Sequence, residues 1–313
     1  LKSVIVPSVQ SPPSMLKLHD FCNRALLLSI AQLSVFAFTQ THNLFPPLIL
    51  NNGEHKCEAL GRAFSAYCLG GMFNEKTGTI IIVCILLWFG SGLLPQISGF
   101  AFVWSTFSFA QTIHLPDGGD YVAQVISVFL AVLGLPHTRI WYWQKPDPRT
   151  IKAPLIYVHK LLRLMTVPAY ILLKLQFSWI YLNAAIAKTA VEQWQDGTAF
   201  YYVVRQEFFG VSGAIGDFII EVSKIPIVTL GITWGVIIIE IAIALSLFLP
   251  RRLGIISLII STTLHLSIFL FIGLFSFALI MIGGMIGANA NSVYAWLGRN
   301  SQHTTPQSDV ASK

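Results

Sequence analysis

Several stretches of this chain run for about 17 to 25 residues with almost no charged side chain, the length that a hydrocarbon core demands of a helix. A soluble fold of 313 residues rarely needs five such stretches. Composition agrees: 54% of residues are apolar, 11% are charged and the mean hydropathy is +0.67. A disordered chain, a soluble enzyme of ordinary composition and a small disulfide scaffold are thereby excluded. The expected fold is all-α, a polytopic transmembrane bundle of about six to seven spans with interfacial helices, placed in the cell membrane. The net charge of +6 is modest, and the basic residues sit in short loops between spans and form no stripe, so nucleic acid is not an expected partner.

The windows are placed by their ends. Arg24 opens the first, which runs to about residue 40, and a polar segment over 41–78 follows, interrupted by a semi-apolar stretch at 59–73. Residues 79–94, then Pro95 and Gln96, then 97–113 predict a membrane hairpin with a minimal turn. Its second arm holds Ser98, Ser105, Thr106, Ser108, Gln111 and Thr112, so it must pack against other helices or dip back without crossing. After 121–135 comes a basic loop with Arg139, Lys145, Arg149 and Lys152, where Pro146 and Pro148 prevent a continuous helix. Residues 154–181 form a long helical pattern, 183–226 are polar and aromatic, and 227–249 are the clearest span, closed by Pro250, Arg251 and Arg252. The last window, 253–287, would make a helix ~50 Å long against a ~30 Å core. It must tilt, break or project, and Gly273, Gly283 and Gly284 are the expected break points.

One domain is expected over 18–290, between a disordered leader (1–17, with Met15 as an alternative start) and a disordered tail (291–313). The first apolar run is followed by no small-x-small cleavage site and reads as a retained span. Short basic loops resist translocation, which, if 97–113 crosses, puts the N-terminus, the 139–152 loop and the Arg251/Arg252 turn inside and the segments 41–78 and 183–226 outside. Cys57 and Cys68 fall in one such outer segment, where a disulfide is open to them if it faces an oxidising compartment. No cysteine or histidine spacing points to a metal.

Ionisable groups inside a span cost about 2.5 to 3.5 kcal/mol each on insertion scales, so each calls for a partner, a water-filled cavity or a function. His159, Lys160 and Arg163 read as side chains snorkelling to the headgroups. Lys174 and Glu240 are candidates to neutralise each other across helices. His265, beside Thr262 and Thr263, is either a proton acceptor and donor near neutral pH or an interhelix hydrogen-bonding group. The richest stretch is 183–210, NAAIAKTAVEQWQDGTAFYYVVRQEFFG. There Lys188 is either a base at the mouth of an apolar cavity or a helix-end anchor. Trp194, Phe200, Tyr201, Tyr202, Phe208 and Phe209 suit the membrane interface, and Asp196 with Gly197 reads as a turn. Asp120 either accepts a proton, binds a basic substrate or caps the helix beginning at Tyr121.

The string KTAVEQWQDGTAFYY at 188–202, followed by LHLSIFLFIGLFSF at 264–277, resembles the membrane domain of the HTTM superfamily, which is shared with vitamin K-dependent gamma-glutamyl carboxylase. The segment HLPDGGD from His114 to Asp120 is more similar to the sporulation-delaying protein B branch, and the resemblance covers about residues 18–290. It implies a multi-pass membrane protein that works with a small partner protein of the same operon to mature a secreted peptide precursor into an antimicrobial toxin. With the residue readings above, it gives a candidate catalytic set of Lys188, His265 and Asp120, with Asp117, Trp194, Asp196, Tyr201, Tyr202 and Glu240 around the substrate. In the carboxylase a lysine just before the shared tryptophan deprotonates the reduced quinone, and Lys188 occupies the matching stretch. Gly118, Gly119 and Asp120 stand where that enzyme has a histidine, which weighs against quinone-driven carboxylation. Three readings follow: a peptide-modifying membrane enzyme or maturation subunit, a non-enzymatic export or immunity protein, and a quinone-dependent carboxylase-like enzyme.

Overall fold

A computed structural model of the chain describes residues 28–29, 57, 60–69, 74–112, 118–136, 140–141, 156–206, 213–290 and 292. The described residues are almost wholly helical. In chain order the helices are α1 (Leu60–Ala63), α2 (Glu75–Ser91), α3 (Pro95–Thr112), α4 (Gly118–Gly134), α5 (Ile156–Thr189), α6 (Glu192–Gln195), α7 (Ala199–Val203), α8 (Gly213–Val222), α9 (Pro226–Ser246), α10 (Arg251–Ile272) and α11 (Phe275–Ala288). Three of them contain stretches long and apolar enough to cross a membrane: Lys160–Thr189, Pro226–Ser246 and Leu253–Ile272. Gly118–Gly134 and Phe275–Ala288 are shorter apolar helices. The chain is accordingly read as a membrane protein. The first apolar run, the leader and nearly all of the tail lie outside the described residues; within that run only Leu28 and Ser29 are described, both helical and buried.

The predicted pair of helices forms as α2 and α3, but the turn lies at 92–94, with Pro95 and Gln96 already inside α3. Asn74 caps α2 by accepting from the Thr77 N–H, and Gly92 ends it in the left-handed conformation. The turn is held from outside, since Leu94 N–H donates to Ile140 O (2.7 Å) and the Trp141 indole donates to Ser91 O (2.7 Å). The polar residues of α3 are inside, as a helix this rich in hydroxyls requires. Ser105, Thr106, Ser108 and Thr112 donate back to carbonyls three or four residues earlier, and Thr106 also meets Ser127 of α4 at 3.1 Å. Phe89 of α2 stacks on Phe102 of α3 with ring centroids 4.0 Å apart. Beside the hairpin, Cys57 and Cys68 are joined in a disulfide.

The last apolar window breaks at Gly273, where φ is 87° and the glycine closes α10 by donating to Phe269 O. Gly283 and Gly284 are not break points. Both lie inside α11, and the Phe177 ring of α5 seats where a side chain at 284 would stand. The common core runs between α4, α5, α9, α10 and α11, with Phe177, Leu173, Ile126, Ile243, Met281 and Met285 among its buried members.

Candidate functional site

The buried face of α5 repeats at Tyr170, Leu173, Phe177, Tyr181 and Ala185, the three- and four-residue spacing of one helix side. Lys188 continues that face at the helix end, seven residues beyond Tyr181 and therefore ~10 Å further along the axis. On α9 the buried face is Thr229, Thr233, Ile237, Glu240, Ile243 and Ala244. The two helices pack antiparallel, so Lys174 meets the C-terminal end of α9 while Lys188 meets its middle.

Lys188 and Glu240 form the principal ion pair. Lys188 Nζ lies 2.7 Å from Oε1 and 2.8 Å from Oε2 of Glu240, and donates more weakly to Ala184 O at 3.3 Å. Glu240 is 6% exposed. The Trp194 ring of α6 lies 5.3 Å from the ammonium, a cation–π contact on its other side. The expected pairing of Lys174 with Glu240 does not occur: Lys174 Nζ donates to Leu247 O at 2.9 Å, where the carbonyls at the end of α9 lack helical partners. Antiparallel packing leaves Glu240 to the lysine two helical repeats further along.

A second cluster adjoins this pair. Tyr181 Oη lies 2.8 Å from His265 Nε2 and 2.8 Å from Ser261 Oγ, both on α10. His265 is 2% exposed, its ring meets Phe277 of α11 edge-on at 5.3 Å, and its Nδ1 has no hydrogen-bond partner among the described residues. The two clusters share one face of α5, with Tyr181 and Lys188 ~10 Å apart along its axis. Tyr181, His265 and Glu240 are buried, and Lys188 is part-buried at the end of the same α5 face.

The remaining sequence candidates stand apart. Asp120 is 3% exposed and sits in the first turn of α4, where an acid is favoured by the helix dipole. It is not the cap of a helix starting at Tyr121, because Gly118 and Gly119 already precede it inside the helix. Gly118 packs against Phe277, so one aromatic ring separates this end of α4 from His265. Asp117 and the side chain of His159 lie outside the described residues. Asp196 is exposed and makes the predicted turn, accepting from the Thr198 N–H (3.1 Å) and hydroxyl (2.7 Å), with Gly197 at φ 80° docked on Leu230 of α9. Tyr201 and Tyr202 are exposed and meet edge-to-face at 5.3 Å, with the Arg205 guanidinium 3.5 Å from the Tyr201 ring centroid. Lys160 and Arg163 are exposed, as snorkelling side chains are. Among the described residues no cluster of three or more histidines, cysteines or carboxylates is arranged to hold a metal.

Sequence reasoning missed Tyr181 and Ser261. The signal was available, since Tyr181 precedes Lys188 by two helical turns and Ser261 precedes His265 by one.

Comparison with known proteins gives two matches. The chain is 27% identical over 266 residues to sporulation-delaying protein SdpB of Bacillus subtilis (strain 168), covering 83% of this chain and 77% of that protein. It is 26% identical over 250 residues to the uncharacterized protein YitO of the same organism, covering 77% of each. No family model matches the chain, and no solved structure matches it. The two matches support an SdpB-like assignment for the chain.

Proposed function

We propose that this chain is a multi-pass protein of the cell membrane, with about six to seven spans, that acts with a small partner protein to mature a secreted peptide precursor into an antimicrobial toxin. The supporting observation is the convergence of Lys188, Glu240, Tyr181 and His265 between α5, α9 and α10, together with similarity to SdpB over most of the chain. Such groups are costly inside a membrane protein and mark substrate or proton pathways when they cluster. In this reading the site acts directly on the peptide at the outer face. Lys188 and Glu240 hold a proton between them, and the ring of His265 contacts the reacting part of the peptide. A reduced quinone as co-substrate belongs to the wider superfamily resemblance, and no step is assigned to it.

The test is Lys188→Ala in a host carrying the neighbouring genes, with secreted peptide followed by mass spectrometry and the membrane protein by immunoblot. Mature peptide should disappear while the protein still inserts and accumulates. Undiminished mature peptide from that variant would remove the catalytic assignment. Export or immunity without chemistry is separated by supplying precursor to the purified protein in lipid vesicles: a changed peptide mass signifies chemistry, and relocation at unchanged mass signifies transport.

A further inference from the structure

Ser261 is wholly buried, and its hydroxyl has one hydrogen-bond partner among the described residues, Tyr181 Oη at 2.8 Å. Tyr181 has one further partner, His265 Nε2, also at 2.8 Å. Nδ1 of His265 is buried without one. Together these contacts set the direction of the protons. A serine hydroxyl carries one proton, and a buried donor without an acceptor is disfavoured. Ser261 therefore donates to Tyr181 Oη, and Tyr181 places its own proton on Nε2. The reverse direction, from Nε2–H to Tyr181 and from Tyr181 to Ser261, leaves the Ser261 proton without an acceptor and the Nδ1 lone pair unmet. It strands two groups where the first arrangement strands one, and so does a Tyr181 oxygen that accepts from both Ser261 and Nε2–H, which leaves the Tyr181 proton and the Nδ1 lone pair unmet. A doubly protonated ring would bury a cation with no carboxylate among its described contacts, both oxygens of Glu240 being engaged by Lys188.

We propose that Ser261 and Tyr181 are positioning residues that lock His265 as the neutral Nδ1–H tautomer, so that the site presents one buried N–H donor to an acceptor oxygen of the molecule it handles. This alters the role drawn from sequence. With Nε2 occupied by the Tyr181 proton and Nδ1 already protonated, the ring has no free lone pair and cannot serve as the base. It instead polarises a carbonyl oxygen, as preorganised N–H donors do in acyl chemistry. Naming a peptide carbonyl as that ligand rests on the maturation reading above; the tautomer does not.

Nuclear magnetic resonance of the full-length protein, labelled with carbon-13 and nitrogen-15 histidine in lipid nanodiscs, reads the tautomer directly. The His265 signal is assigned by its loss in His265→Asn. The expected result is the Nδ1–H form in the wild type and a mixture of tautomers in Tyr181→Phe. A wild-type ring in the Nε2–H or doubly protonated form overturns the relay, and so does a Tyr181→Phe ring that keeps the wild-type signal. For the ligand, His265→Asn restores an amide N–H near the Nδ1 position and should keep at least a tenth of wild-type peptide maturation, while His265→Leu keeps none. Equal loss in both variants, each accumulating normally, overturns the carbonyl assignment. An Nδ1–H wild type alongside a fully active Lys188→Ala supports the relay and removes the catalytic assignment of Lys188 instead.

Discussion

Lys188 Nζ touches both carboxylate oxygens of Glu240, at 2.7 and 2.8 Å, across fifty-two residues of chain. That contact ties the end of α5 to the middle of α9. Neither helix could bury its charge alone, because an unpaired ion in the interior keeps most of its desolvation penalty.

Removing one partner should therefore cost more than removing both. Lys188→Met and Glu240→Leu are each expected to destabilise the protein by about 2–4 kcal/mol, and the double variant by less than either alone. Unfolding by denaturing detergent in mixed micelles measures all three. Strict additivity would show that the pair carries no coupling.

Trp194 faces the same ammonium at 5.3 Å and lies on a four-residue helix that Lys188 helps to anchor. Trp194→Ala should cost about 0.5–2 kcal/mol, with Trp194→Phe recovering part of it, since phenylalanine keeps a weaker π face. If both substitutions cost the same, a phenyl π face at this position recovers nothing and the cation–π account fails.

Gly284 is a packing position. A Cβ there would overlap Phe177 Cζ and stand 2.8 Å from Ile126 Cδ1. Gly284→Ala should destabilise by about 1–3 kcal/mol through overpacking. Phe177→Ala leaves a cavity by itself but makes room for the new methyl, so the combined variant should lose less than the two losses added. A combined loss equal to the sum would mean that the two sites do not meet.

The Cys57–Cys68 disulfide is directly countable. Denatured protein purified without reductant should gain two maleimide labels after reduction, measured as intact mass. Disulfides persist in oxidising compartments, so the same result places this segment on the outer side, as the basic loops predict. An unchanged label count on reduction contradicts both the bridge and that placement.

Much of the helical plan is legible in the chain itself. The charge-free windows, the turn before Pro95 and the Gly273 break follow from local rules: burial length, missing donors and left-handed backbone freedom. The hydroxyls of α3 were readable as an inward face because lipid offers them no partner. Lys188, Glu240 and His265 were each recognisable as expensive residues in apolar surroundings.

Their partnerships were not readable. Sequence offered Lys174 as the partner of Glu240 and left Asp120 open between proton acceptor, substrate ligand and helix cap, because spacing along one helix says nothing about the register of another. Antiparallel packing of α5 on α9 handed Glu240 to Lys188 and sent Lys174 to the Leu247 carbonyl. The approach of α10 to α5 then gave His265 and Ser261 a shared tyrosine. Residue type and periodicity determined which groups needed partners; only the crossing of the helices decided which partners they found, since side-chain contact is set by interhelix distance and rotation, quantities that no single segment encodes.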